Sequence, residues 1–516
     1  MKKQIELAIV PDEINIPGIL STKASQYLKM DSEQISAVIP IKKSIDARSK
    51  RIVFRIFVDV YIDEVPEKKK PIIYQPVMDS KKTIIVGFGP GGMFAALKLI
   101  EFGIKPIIVE RGKDVQERRR DIRAIQQDHI VNPDSNYCFG EGGAGAYSDG
   151  KLYTRATKRG DIKKIIDVLI QHGADPEIAI DTHPHIGSNR LPKIVSAIRQ
   201  TILNNGGEIH FNSKVIDFIL KDRKIVGVKL NSGREIVGDT VILATGHSAR
   251  DIYYMMNQKK IRIDPKPFAM GVRIEHPQAL VNEIRYHTKE RIPNLPAAGY
   301  TLVTDVEDRG VYSFCMCPGG IIVPAATSPG EIVVNGMSLS KRNSPFANSG
   351  FVVEVTNQEW MKYERNQPFA ALMLQEELEK KAFKLANNTQ SAPAQRVTDF
   401  VAGTISSSLP KCSYIPGLTP SELHKELPAF ISFRLRKALF DFDKKMRGYY
   451  TEEAVLVGVE SRTSSPIRIP RDRETFIHPE IAGLFPCGEG AGYAGGILSA
   501  AVDGENCAIA VNSYLS

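Results

Sequence analysis

Apolar and polar residues alternate through RIVFRIFVDVYI (51–62), the period of a strand with one buried face. Before it, IELAIV (5–10) has strand character and ILSTKASQYLKM (19–30) has helical character. After it the alternation dissolves into EVPEKKKPIIYQPV (64–77), rich in Pro and Lys. These patterns predict a small N-terminal α+β module over residues 1–76, closed by a linker. A different pattern follows. The short apolar run Thr83–Val86 meets GFGPGG (87–92), then a helical stretch ending at Gly103, then KPIIVE (105–110). Strand, turn, helix and strand in that order predict a βαβ unit.

Residues 112–136 are charged and predict helix. YCFGEGGAGAYSDGKLYT (137–154) predicts a long Gly-rich loop, and LPKIVSAIRQTILNNGG (191–207) an amphipathic helix stopped by two glycines. Strands are predicted in 208–230 and in TVILAT (240–245). From about Pro265 to Val455, strand-like runs such as GVYSF and GGIIVPA are broken by Pro and Gly, and a helical stretch covers Gln367–Leu385. The tail from Ser461 returns to loop, strand and helix around LFPCGEGAGYAGGILSAAVDG (484–504). The chain reads as α/β. A Rossmann-type domain covers 77–264 and 456–516, and an inserted mixed α+β substrate domain covers 265–455.

Composition narrows the class. With 516 residues, several structural units are expected. At 42% hydrophobic and 25% charged residues the chain is an ordinary globular one. Its apolar runs are far too short to cross a bilayer, and MKKQIELAIVPDE lacks the form of a secretory signal. A cytoplasmic protein is expected, with no membrane partner. Six cysteines without a CxxC pair argue against both a disulfide scaffold and a zinc site, so no metal is expected. The net charge of +9 is diffuse, densest at Lys68–Lys70 and Arg118–Arg120. It reads as solvated surface; a polyanion footprint for nucleic acid is the weaker alternative, because no nucleic-acid motif accompanies it. Nothing in the sequence sets the oligomeric state.

The βαβ unit has the chemistry of a dinucleotide site. Gly87 permits the tight turn, Gly89 lets backbone approach a pyrophosphate, and Gly92 lets helix pack on strand. The helix start offers free amides and a positive dipole end. Glu110 ends the second strand, where a carboxylate binds ribose hydroxyls. Later features favour FAD over NAD. The tail places Gly488-Glu489 and a second Gly-rich turn far from the first motif, as a long cofactor requires. Glu489 suits the ribityl chain or pyrophosphate, and the amides of Gly495–Ile497 suit the anion of reduced flavin. Thr245-Gly246 supplies close backbone approach between them.

The order GFGPGG, VERG, ILATG and LFPCGEGAGYAGGI resembles FAD-dependent oxidoreductases of the glutathione-reductase-like superfamily. More narrowly, FGEGGAGAYSDGKLYT, THPHIGSNRLPKIV, ATGHSARD, YSFCMCPGG, VESRTSSPIRIPRD and KKSIDARSK resemble the bacterial FAD-dependent, or NAD(FAD)-utilising, dehydrogenase family, whose substrate is not settled. The resemblance implies FAD contacts at Gly87, Gly89, Gly91, Gly92, Glu110 and Arg111. It extends them to Gly142, Gly143, Val215, Thr245, Gly246, Gly488, Glu489, Gly496 and Ile497. Glu489 stands where the superfamily usually has Asp.

Flavin carries out hydride chemistry while protein positions the substrate. No second GxGxxG follows a strand, so NAD(P)H is expected only as a transient co-substrate. Cys315 and Cys317, two apart in a strand, would share a face; a redox-active pair and two packed side chains both remain open. His247, followed by Arg250, is a candidate proton donor or substrate anchor, or a structural loop residue. Lys151 and Arg462 are candidate anchors for a substrate carboxylate or flavin N1, and Asp149 has similar standing. His183 and His185 read as loop residues. The function expected is an FAD-dependent oxidoreductase acting on a small molecule. The alternatives are a flavoprotein that engages RNA or a protein through its N-terminal module, and a flavin-binding protein without turnover.

Overall fold

The computed structural model describes residues 1–49, 51–67, 69–78, 81–153, 160–288 and 292–516. Lys50, Lys68 and Thr154, each within a segment read above, lie outside the described residues.

β1 (Lys2–Ile9), α1 (Ile19–Leu28), β2 (Ile35–Asp46) and β3 (Val53–Ile62) form the N-terminal module. Its antiparallel sheet has the order β1-β3-β2, and alternate residues of β3, Phe54, Ile56, Val58 and Val60, are buried. The sequence pattern did not mark β2, because Pro40 interrupts it. Pro is tolerated there because β2 is an edge strand with a bulge between Pro40 and Lys42. The module rests on the body: Lys43 N donates to Ile180 O at 2.7 Å, and Lys43 Nζ pairs with Asp181 at 3.1 Å.

The body opens with β4 (Lys82–Val86), α2 (Pro90–Glu101), β5 (Lys105–Val109) and α3 (Arg118–Gln127), followed by α4 (Ile162–Gln171) and α5 (Leu191–Asn204). β6 (Glu208–His210), β7 (Val215–Lys221), β8 (Lys224–Leu230), β9 (Glu235–Val237), β10 (Thr240–Leu243) and α6 (Arg250–Gln258) complete its first part. The α3 helix is shorter than the charged stretch 112–136 suggested. Arg118 also departs from the surface reading of the basic run. It is fully buried, and donates to the carbonyls of Asn136, Glu141 and Gly143 at 2.7, 2.8 and 2.9 Å. A guanidinium has the five fixed donors needed to staple a Gly-rich loop this way.

The insert contains β11 (Asp264–Pro265), β12 (Phe268–Pro277), α7 (Gln278–Tyr286), β13 (Val303–Val306), β14 (Arg309–Cys317), β15 (Ile321–Pro324), β16 (Val334–Met337) and β17 (Phe346–Val355). It continues through α8 (Ala370–Leu385), β18 (Ala392–Arg396), α9 (Val397–Ala402), β19 (Leu418–Pro420), α10 (Leu423–Glu426), α11 (Ala429–Lys445) and β20 (Val455–Glu460). Its seven-stranded sheet has the order β13-β14-β17-β12-β20-β18-β19. The boundary expected at Val455 is therefore wrong. β20 is fully buried and pairs with β12 and β18, so the insert runs past Glu460.

β21 (Ile467–Arg468), β22 (Leu484–Pro486) and α12 (Ile497–Leu515) return to the body. Its parallel sheet has the order β22-β10-β4-β5-β6, so the last strand of the chain lies beside a strand of the first part. Among the described residues no helix is long and apolar enough to cross a membrane.

Candidate functional site

The carboxyl ends of β4, β5, β10 and β22 open into one crevice with an internal volume of about 330 Å³. Ligands of open α/β sheets bind at strand ends of this kind. Gly87, at φ 101°, could not carry a side chain: a Cβ there would lie 2.5 Å from Ala244 O. A Cβ on Gly92 would lie 2.1 Å from Gly87 O, so α2 meets β4 through bare backbone. Gly89, by contrast, faces open space, with Gly143 Cα the nearest atom to its imagined Cβ at 3.8 Å. The first turn of α2 therefore presents Gly89–Gly91 to the crevice, at the helix end where amides lack intrahelical partners.

Glu110 is buried at one end and accepts from Phe88 N, Gly112 N and Gly140 N at 2.8, 2.9 and 3.0 Å. The carboxylate expected to meet ribose thus first ties three loops together, leaving little of its roughly four-bond acceptor capacity. Beside it Arg111 pairs with Asp134 and Asp251 at 2.6 and 3.0 Å and covers the Phe139 ring at 4.0 Å. Val215 completes this end.

The middle of the crevice is lined by Thr245, Gly246, His247, Ser248, Gly488 and Glu489. Thr245 Oγ1 is buried and has no hydrogen-bond partner among the described residues. The Glu489 side chain also makes no hydrogen bond among the described residues. Burial pushes its carboxyl up to about 8, with Lys266 pulling the other way. A buried, unpaired hydroxyl such as that of Thr245, and a carboxyl with no donor beside it, are costly unless a ligand meets them. Together with the open backbone at Gly89 they fit the polar spine of a dinucleotide.

Behind this wall stands a buried ion network. Glu379 accepts from Arg250 and Arg462, each at 2.8 Å, and Glu331 from the same two at 2.9 and 2.8 Å. Burial would raise the Glu379 carboxyl, but Arg250 and Arg462 outweigh it and hold it at about 2. Arg462 is thereby corrected as a substrate anchor. Although it borders the crevice, its guanidinium is spent on protein groups.

The far end is lined by Lys151, Phe314, Cys315, Cys317, Asn335 and Gly336. Simple strand alternation does not place the two thiols. β14 loses register between Phe314 and Cys317, and Cys315 adopts φ 44°, a left-handed conformation uncommon outside glycine. Arg273 Nη2 donates to Cys315 O at 2.8 Å and holds that bulge, while Arg273 Nη1 pairs with the buried Glu460 at 2.7 Å. Cys315 is exposed and Cys317 buried. Lys151 Nζ stands 3.7 Å from Cys317 Sγ. Burial works against its charge, yet Cys317, Cys315 and Asp149 raise its pKa. Asp149 itself is held by Arg342 at 2.5 Å and by Ser338.

Gly87, Gly89, Gly91, Glu110, Arg111, Gly143, Lys151, Val215, Thr245, Gly246, Gly488, Glu489, Gly496 and Ile497 all border the crevice, as do His247, Cys315, Cys317 and Arg462. Gly92 and Gly142 do not. Gly92 packs on Gly87, and Gly142 N donates to Phe88 O at 2.8 Å behind the wall. His183 stacks on Tyr153 and His185 bonds Ser340 O at 3.1 Å, both in loops. Sequence reasoning missed Glu379, Glu331 and Arg273, which carry no local motif. Cys487, Asp503 and Cys507 bring donor atoms within 4.8 Å of one another. Arg471 already satisfies Asp503 at 2.6 and 2.9 Å, so the cluster is an ion pair beside two thiols.

Residues 267–463 match the family described as FAD-dependent protein, C-terminal domain-like, a span that begins at β12 and closes just after β20. Residues 1–61 match a domain of unknown function. An uncharacterized protein of Clostridium beijerinckii is 40% identical over 96% of this chain and 95% of its own length. Among solved structures, a geranylgeranyl bacteriochlorophyll reductase-like protein from Thermoplasma acidophilum is 12% identical, covering 84% of this chain and 79% of its own, with a TM-score of 0.34. CtdE in complex with FAD is 12% identical over 84% of each chain, with a TM-score of 0.32.

Proposed function

Because this chain belongs to one family of FAD-dependent proteins with its Clostridium beijerinckii relative, we propose that it is an FAD-dependent oxidoreductase that passes a hydride between flavin and a small molecule. The observation that carries the reading is the crevice. It runs without a break from Val215 and Glu110, past the open backbone at Gly89, to Cys315, and among the described residues it leaves the Thr245 hydroxyl and the Glu489 carboxyl without hydrogen-bond partners.

The adenosine end would sit at Glu110 and Val215, and the pyrophosphate at the start of α2 beside Gly143. The ribityl chain would lie along Thr245 and Glu489, and the ring by Gly496 and Ile497. Bound there, FAD supplies the hydride chemistry. The chain's own residues bind and exclude water. Gly496 and Ile497 open α12, whose first amides are free to meet developing negative charge on the ring. Lys151 keeps a cation at the far end, suited to an anionic substrate group. The network of Arg250, Arg462, Glu331 and Glu379 joins body to insert behind that wall. NAD(P)H is a candidate transient donor.

The protein is incubated with FAD, desalted and scanned for the visible flavin band. A retained, stoichiometric flavin is expected, and a colourless protein overturns the reading. Anaerobic NADH or NADPH is then expected to bleach the band. A flavin that only dithionite reduces overturns the nicotinamide step, and a flavin that nothing reduces overturns catalysis.

A further inference from the structure

Arginine donates hydrogen bonds and cannot accept them. All five N–H groups of Arg462 are engaged. Nε donates to Glu379 at 2.9 Å, Nη1 to Thr327 Oγ1 at 2.5 Å and Ser248 Oγ at 3.2 Å, and Nη2 to Glu331 and Glu379 at 2.8 Å each. Ser248 Oγ therefore accepts a hydrogen bond from Arg462, and its own O–H turns elsewhere. His247 Nδ1 lies 2.7 Å away. The Cys138 thiol is also within reach of Ser248, but sulfur is the weaker acceptor. The Ser248 hydroxyl accordingly donates to Nδ1. With Nδ1 bare, the neutral ring carries its proton on Nε2.

That nitrogen has no partner among the described residues, and His247 borders the crevice. Burial, then Arg462 and Arg250, bring the imidazole down to about 4, with Glu379 opposing, so no second proton joins it at neutral pH. His247 also stands in the cofactor stretch rather than at the Lys151 end. It follows Gly246, whose carbonyl lies 2.5 Å from where a Cβ on Gly490 would be, so the β10 and β22 loops touch at this point.

We propose that His247 is a cofactor-binding residue, its Nε2–H held towards an oxygen acceptor of the flavin dinucleotide, and that Ser248 and Arg462 are positioning residues that set its tautomer. The tautomer follows from this chain alone; the identity of the acceptor rests on the proposed function. A ligand that presented an N–H at this place would oppose donor to donor.

The tautomer is read first, on protein without FAD carrying 15N-labelled histidine rings. From pH 6 to 8 the His247 ring is expected to show a bare Nδ1 and a protonated Nε2. Ser248→Ala is expected to bring in the other tautomer. A wild-type ring protonated at Nδ1, or doubly protonated at pH 6, overturns the assignment. FAD affinity is read second, by flavin fluorescence quenching. His247→Leu is expected to weaken FAD binding about tenfold, the scale of one hydrogen bond, and His247→Gln, which keeps an N–H at similar reach, to stay within about threefold. Unchanged affinity in His247→Leu overturns the contact while leaving the proposed function standing. A wild-type protein that binds no FAD removes that function while the ring measurement still stands.

Discussion

Glu489 follows β22 and borders the crevice, its carboxyl raised to about 8 from an ordinary 4.5 by burial that Lys266 only partly offsets. Between those two values the folded chain keeps a proton that the unfolded chain has released. Stability must therefore fall as pH rises from about 4.5 to about 8 and level off above that. Glu489→Gln removes the term, so the FAD-free variant is expected to lose less stability than wild type over that window and to melt higher at pH 8. Parallel pH profiles for the two proteins would count against it. At this scale the sequence marks residue types well and their commitments poorly. Glu489 and Thr245 were legible because motif spacing puts them at strand ends. Arg462 was legible as a cation, but its two carboxylate partners sit 131 and 83 residues away in the chain. Arg118 looked like one of three surface arginines and is fully buried.

α12 packs on α2 through small residues, and the closest approach is Gly504, where a Cβ would lie 2.1 Å from Gly91 O. Propensity alone favours Gly504→Ala by about 1 kcal/mol in a helix interior. The clash must outweigh that gain, because Gly91 is backbone at the crevice and cannot swing aside. Gly504→Ala is expected to lower the melting temperature and to weaken FAD retention about tenfold or more, although Gly504 does not border the crevice. A variant that melts higher and holds its flavin would refute this coupling of the two helices. The β4-α2-β5 unit was legible because its hydrophobic period changes sharply at the glycines. β2 was not, because an edge strand with Pro40 and a bulge breaks the alternation that would announce it. β20 was placed in the wrong unit, because a fully buried strand reads alike in either sheet.

Across the molecule, Arg250 on α6 and Ser248 beside it belong to the body, whereas Glu331, Glu379 and Arg462 come from the insert, and they meet at the crevice wall. Removing one member of such a buried network leaves unpaired charge, at a cost of about 3–5 kcal/mol. Glu379→Gln is expected to destabilise the protein on that scale, read by chemical denaturation, and to weaken FAD binding as well. A loss under about 1 kcal/mol would show that the network holds little of the interface together. Glu379, held near 2 against an ordinary 4.5, contributes stability that is complete above about 4.5 and lost as pH falls towards 2. Glu379→Gln is therefore expected to lose less stability than wild type over that window, and parallel acid profiles of the two would count against it.

By itself the sequence determined the βαβ unit with its Gly-rich turn, the recurrence of its sheet at the far end of the chain, and the glycines that no other residue could replace. Those depend on local period, turn chemistry and backbone sterics, all written within a few tens of residues. Only the tertiary structure decided which cations are free and which are spent, where the insert ends, and which nitrogen of His247 lies against Ser248. Hydrogen-bond and charge pairing are settled by neighbours in space, and here those neighbours stand up to 214 residues apart in the chain.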